Sequence, residues 1–122
     1  VRYVHTRIRV RDLERSIAFY QLLGLDLHGR STSPRGNALV FMRDPATGTD
    51  LELCQMPGDT TFSFPEDIFH LAYLVPDLRA ELARLGQAGV KVTEPYTPTG
   101  SGALSFIEDP DGYEIELLER RP

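Results

Sequence analysis

Four residues of two types could do chemistry together: His5, Glu52, His70 and Glu116. Glu116 sits between Ile115 and Leu117 in EDPDGYEIELLE, and Glu52 between Leu51 and Leu53 in DPATGTDLELCQ. Taken alone, a glutamate in an alternating strand faces water, and a strand histidine is a surface or satisfied core residue. Their pairing changes the weighing. His70 follows His5 by 65 residues and Glu116 follows Glu52 by 64. Two imidazoles and two carboxylates brought to one place would repel or desolvate one another unless a cation lay between them. That donor mixture suits Zn(II), Ni(II), Co(II), Mn(II) or Fe(II). Four such ligands in an open cup leave two octahedral positions for water, which is a catalytic rather than a structural arrangement.

The elements that would position them repeat once along the chain. Asp12-Leu13 recurs as Asp77-Leu78, Gly24 as Gly89, Phe41 as Phe106 and Asp44-Pro45 as Asp109-Pro110, all at a spacing of 65. Beyond that turn the spacing falls to 64, so the second copy has lost one residue in a turn, where loss is tolerated. Each copy reads as βαβββ. An alternating strand (Tyr3 to Val10, Ile68 to Val75) leads to an Asp N-cap, Asp12 or Asp77. The helices follow as LERSIAFYQLL and LRAELARLGQA. Leu13, Ile17, Phe19, Tyr20 and Leu23 give the first its apolar stripe; Leu78, Leu82, Leu85 and Ala88 give the second its own. Gly24 and Gly89 stand where a helix-ending glycine belongs. Three strands then follow in each copy: Leu25 to Ser31, Asn37 to Arg43 and Asp50 to Gln55, then Val90 to Tyr96, Gly102 to Glu108 and Tyr113 to Glu119.

The expected fold class is therefore α+β, two tandem βαβββ modules whose helix-free sheet faces make one cupped sheet. Module one is 1–56, the linker 57–67 and module two 68–122, together one domain. The two linker phenylalanines, Phe62 and Phe64, are expected to anchor it. Parity puts His5 on a face with Tyr3, Arg7 and Arg9, and His70 on a face with Ile68, Ala72 and Leu74. Tyr3 and Arg7 read as surface or dimer-contact residues. His28 has Thr93 as its counterpart and takes no metal role; Cys54, on the face of Glu52, reads as a small buried filler.

Composition narrows the function classes. A chain of 122 residues, 41% hydrophobic and 25% charged, is ordinary for a globular protein. A net charge of −5 gives nucleic-acid binding no electrostatic support. No apolar run is long enough to span a membrane, VRYVHTRIRV lacks the apolar stretch of a signal peptide, and one cysteine excludes an intrachain disulfide. These features point to the cytoplasm.

Four stretches carry a family resemblance: HTRIRVRDLERSIAFYQLLG at the start, LEL around Glu52, FHLAYLV around His70 and FIEDPDGYEIELLE near the end. The chain resembles the vicinal oxygen chelate superfamily over essentially its full length, and within it the short bacterial glyoxalase I (lactoylglutathione lyase) group. The resemblance implies His5, Glu52, His70 and Glu116 as metal ligands. It implies a homodimer whose sites lie between subunits, His5 and Glu52 coming from one chain and His70 and Glu116 from the other. It implies a metal of the Ni(II)/Co(II) type, with Zn(II) and Mn(II) as alternatives. The reaction it implies turns the hemithioacetal of methylglyoxal and glutathione into S-lactoylglutathione through an enediolate. Glu116 would be the principal base and Glu52 the carboxylate for the other face. Arg9 matches the arginine that pairs with a glutathione carboxylate.

The departures from this group concern the thiol. Met56 stands where the group usually has asparagine, and the Pro95 to Gly102 loop lacks its lysine. A different thiol or a different vicinally oxygenated substrate would use the same ligands. Other occupants of the scaffold are an acyl-CoA epimerase, an Fe(II) extradiol dioxygenase, which would not need Glu52, and a metal-free drug-sequestering protein.

Overall fold

Alternating apolar and polar residues build eight strands, and two Asp-capped segments build the helices, in the computed structural model, which describes residues 1–58 and 61–122. The expected linker 57–67 therefore falls partly, at 59–60, outside the described residues. The chain forms two units, Val1–Ser63 and Phe64–Pro122. The first contains β1 (His5–Arg9), α1 (Leu13–Leu22), β2 (Asp26–Thr32), β3 (Ala38–Arg43) and β4 (Asp50–Gln55). The second contains β5 (Leu71–Leu74), α2 (Leu78–Gln87), β6 (Val92–Thr99), β7 (Gly102–Glu108) and β8 (Glu114–Arg120). Both are βαβββ, as expected, and the fold class is α+β.

Each unit is a four-stranded mixed sheet of one design: β1-β4-β3-β2 in the first and β5-β8-β7-β6 in the second. The first and last strands of each unit pair in parallel, the remaining neighbours antiparallel. The parallel partner explains why β1 and β5 are shorter than expected: β4 opens at Asp50, opposite His5, and β8 opens at Glu114, one residue before Ile115, which faces Leu71. Tyr3 and Ile68 thus precede the strands and are exposed.

The helices start where the sequence places them. Asp12 accepts a hydrogen bond from the Arg15 amide, and Asp77 from that of Ala80, both at 3.1 Å. Such a cap is worth about 1 kcal/mol. Gly24 (φ 96°) and Gly89 (φ 83°) close them in the left-handed region. In the first unit Leu13, Ile17 and Tyr20 are buried on a sheet face carrying Ile8, Val40, Met42, Leu51 and Leu53. In the second, Leu78 and Leu85 are buried with Ile107, Ile115 and Leu117. Ala88, expected in the buried stripe, is exposed: it has become the residue that ends α2.

One expected loop is mostly strand. β6 runs to Thr99, through Pro95 and Pro98, leaving a tight turn at Gly100-Ser101. The prolines are tolerated because β6 is the sheet edge and its pairing with β7 shifts register between Val92 and Glu94 and again across Pro95, between Glu94 and Thr97. The linker phenylalanines do anchor, one in each unit. Phe62 lies under the guanidinium groups of Arg9 and Arg11, 4.7 and 4.1 Å from its centroid, and Phe64 stacks on Tyr113 at 4.4 Å. No described helix is long and apolar enough to cross a membrane.

Candidate functional site

Since side chains alternate across a strand, the register decides which residues meet on the face away from each helix. In the first unit Arg7 is opposite Glu52, and Glu52 is opposite Phe41. In the second unit Ala72 is opposite Glu116, and Glu116 is opposite Phe106. The two histidines enter two residues upstream of Arg7 and Ala72, on the same side.

Both units therefore bring a histidine to a glutamate. His5 Nε2 lies 3.1 Å from Glu52 Oε2, and His70 Nε2 lies 3.6 Å from Glu116 Oε1. Each imidazole is set edge-on to a phenylalanine of the central strand: His5 to Phe41 at 5.9 Å and 68°, His70 to Phe106 at 5.3 Å and 88°. Two adjacent ligands of an octahedral ion, each bound at about 2.1 Å, sit about 3.0 Å apart. The first pair fits that edge and the second is slightly wider. Neutral imidazole and carboxylate are the donor types such an ion takes, so the residues present fit a divalent metal. Among the described residues no three His, Cys, Asp or Glu side chains converge, so each unit by itself offers a pair.

The surroundings of the two glutamates differ. Glu52 is buried, with its side chain 4% exposed; its Oε1 accepts a hydrogen bond from Arg7 Nε while Oε2 faces His5. That bond holds the Arg7 guanidinium above its ordinary pKa. Arg7 is exposed, as expected of a surface residue; its bond to Glu52 was not expected. Its parity was legible, but its partner depended on a parallel register between strands over forty residues apart. Glu116 is 17% exposed and faces Ala72, which offers no hydrogen-bond donor. Next to His5 in register, Asp50 is taken up by Arg43, with bonds of 2.8 and 2.9 Å that hold its carboxyl below the usual range; His28 and His5 add smaller effects.

Phe41 and Phe106 are the other residues that sequence reasoning passed over. They were visible as a repeated pair, yet only the central-strand register brings them against the imidazoles. Arg9 lies half-buried over Phe62. Cys54 is buried, as a filler would be. Met56 lines a 280 Å³ cavity with Arg7, Ser33, Pro34, Arg35 and Asn37.

Known proteins are similar to this chain in sequence and fold. Residues 2–117 match the family model of the Glyoxalase/Bleomycin resistance protein/Dioxygenase superfamily. The lactoylglutathione lyase of Haemophilus influenzae is 36% identical, over 97% of this chain and 92% of its own length. The trypanothione-dependent glyoxalase I of Leishmania major is similar in structure, with a TM-score of 0.83 at 36% identity, covering 98% of this chain and 86% of that one. An antibiotic-binding protein of a Streptomyces species, TnmS3, has a TM-score of 0.76 at 25% identity, covering 99% and 97%. With nearly the whole chain matched and the βαβββ order present twice, this protein belongs to the Glyoxalase/Bleomycin resistance protein/Dioxygenase superfamily.

Proposed function

We propose that the chain is a lactoylglutathione lyase (glyoxalase I)-type metalloenzyme that converts the hemithioacetal of methylglyoxal and glutathione into S-lactoylglutathione. The observation that carries this reading is the duplicated His–Glu pair, His5 with Glu52 and His70 with Glu116. A relative that is a lactoylglutathione lyase over nearly its full length supports it. A binding protein would have no use for two such pairs.

In this reading the four residues hold one divalent ion, Ni(II) or Co(II) ahead of Zn(II) or Mn(II), in a site that a homodimer completes. His5 and Glu52 come from one protomer, and His70 and Glu116 from its partner. The modules and their linker work as one vicinal oxygen chelate domain, in the cytoplasm. When bound, the ion supplies a Lewis acid to the two neighbouring oxygens of the substrate. Glu116 is the principal base. It takes the proton from the carbon that bears hydroxyl and sulfur, and a proton is returned to the former carbonyl carbon. The hydroxyl proton moves to the other oxygen, so the product is an isomer and nothing leaves. Glu52 is the carboxylate for the opposite face, and Arg9 pairs with a carboxylate of the thiol peptide. The Leishmania relative is trypanothione-dependent, so similar chains accept more than one thiol. Met56 and the lysine-free stretch from Pro95 to Gly102 make the thiol the feature to test.

The deciding experiment follows S-lactoylglutathione formation by metal-stripped protein refilled in turn with Ni(II), Co(II), Mn(II) and Zn(II). Turnover with one or two ions is the expected result. Metal binding without turnover would redirect the search to other thiols and to acyl-CoA esters. Tight antibiotic binding with no metal and no turnover would replace the enzyme by a sequestering protein.

A further inference from the structure

The two glutamates occupy matching positions in matching registers, yet only one is tied down. Glu52 uses both oxygens: Oε2 faces His5 Nε2 at 3.1 Å, and Oε1 takes the hydrogen bond from Arg7 Nε. A carboxylate held by a guanidinium at one oxygen presents the other in a fixed direction, and charge-assisted bonds of this kind are the strong ones. Arg7 reaches it because the parallel register puts the two residues side by side on one face. The same register in the second unit sets Ala72 beside Glu116. Ala72 has nothing to donate, and Glu116 stands off from His70 at 3.6 Å with a more exposed side chain.

We propose that Arg7 is a positioning residue that holds Glu52 in the orientation in which it and His5 form one half of the metal site, a restraint that the Ala72 side of the site withholds from Glu116. The difference divides the work between two equivalent carboxylates. Glu52 acts from a fixed position. Glu116 keeps the freedom to swing that a carboxylate needs if it is to collect a proton at one carbon and release it at the next. The inference rests on the metalloenzyme reading above and goes beyond it by naming what makes its two halves unequal.

Four versions of the chain test it: wild type, Arg7→Ala, Arg7→Lys and Ala72→Arg. The first readout is Co(II) affinity of the metal-stripped proteins, measured by competition with a chromophoric chelator, with the absorption spectrum of bound Co(II) as a record of its ligands. Losing a residue that orients a ligand weakens metal binding by about 10- to 100-fold. Arg7→Ala is expected to fall in that range with unchanged circular dichroism, since Arg7 is half exposed. Arg7→Lys, which keeps the charge without the planar fork, should recover part of the loss. The second readout is kcat at saturating Co(II). Ala72→Arg, which offers Glu116 the restraint that Glu52 has, should lower kcat by about tenfold or more without weakening Co(II) binding. Ala72 is exposed within its own chain, so the exchange disturbs no core packing, and unchanged circular dichroism and oligomeric state are checked alongside kcat. Equal Co(II) affinity and identical spectra for wild type and Arg7→Ala would overturn the inference while leaving an active wild type as the enzyme proposed. An unaltered kcat in Ala72→Arg would also overturn it. If wild type binds Co(II) more tightly than Arg7→Ala but isomerises nothing, the positioning role stands and the isomerase reading falls. A wild type that binds no Co(II) overturns both.

Discussion

In the first unit the strand glutamate is gripped: Glu52 is buried between His5 and Arg7. In the second unit its counterpart faces an alanine, and Glu116 is four times as exposed, 17% against 4% for the side chains. The sheets around them are the same, with the same strand order and the same parallel pair bearing the glutamate. The difference beside the glutamates lies on the helix-free face, where Arg7 in the first unit is matched by Ala72 in the second. Helix-facing positions stay apolar in most cases, Leu53 matching Leu117 and Met42 matching Ile107, because each fills space in a close-packed core. The other face has no such demand, and there both copies carry a histidine and a glutamate, the observation on which the proposed metal site rests, while the arginine is present in one copy alone.

The largest test asks whether either half works alone. His5→Ala and His70→Ala should each lose bound metal and turnover. If, as proposed, a homodimer completes each site, the two proteins mixed after subunit exchange should regain about a quarter of wild-type activity, since half the dimers would be mixed and each of those would have one intact site. Failure to regain activity after verified exchange would place each site within one chain. Next, Glu116→Gln should lower turnover by about a hundred- to ten-thousand-fold, the range of a general base, while the dimer persists. Glu52→Gln should show its defect first in metal affinity. Equal defects in both would erase the functional difference between the units.

Smaller effects probe differences outside the site. Gly102 in the second unit matches Asn37 in the first. A Cβ at Gly102 would lie 1.8 Å from the Glu119 carbonyl oxygen, so Gly102→Ala should destabilise the protein by about 1–3 kcal/mol in denaturant titration. At Asn37 the exchange for alanine meets no such backbone, and a cost as large there would sink the contrast. Smallest is Asp50→Asn. Arg43 depresses the Asp50 carboxyl, so the folded state gains stability at pH values above the ordinary Asp range and loses it as pH falls through the depressed value. The Tm gap between wild type and Asp50→Asn should be present at pH 7 and close in strong acid; a gap independent of pH would assign it to packing.

Much of this was legible from spacing. The offsets of 65 and 64 identified two βαβββ copies, the Asp caps located both helices, and alternation put His5 and Glu52 on helix-free faces. The strand expected to stop at Tyr96 runs on to Thr99 because β6 is an edge strand, where a proline without an amide to donate is tolerated. Ala88 misled because a helix's last residue belongs to its cap as much as to its stripe.

By itself, then, the amino-acid sequence determined the elements, their order and the types of donor, because periodicity, capping and turn chemistry act over a few residues. Only the tertiary structure decided which side chains touch. That Arg7 bonds Glu52, that Ala72 lies beside Glu116 and that Phe41 and Phe106 meet the imidazoles all follow from register between distant strands. A slip of one residue would turn every one of those side chains to the opposite face.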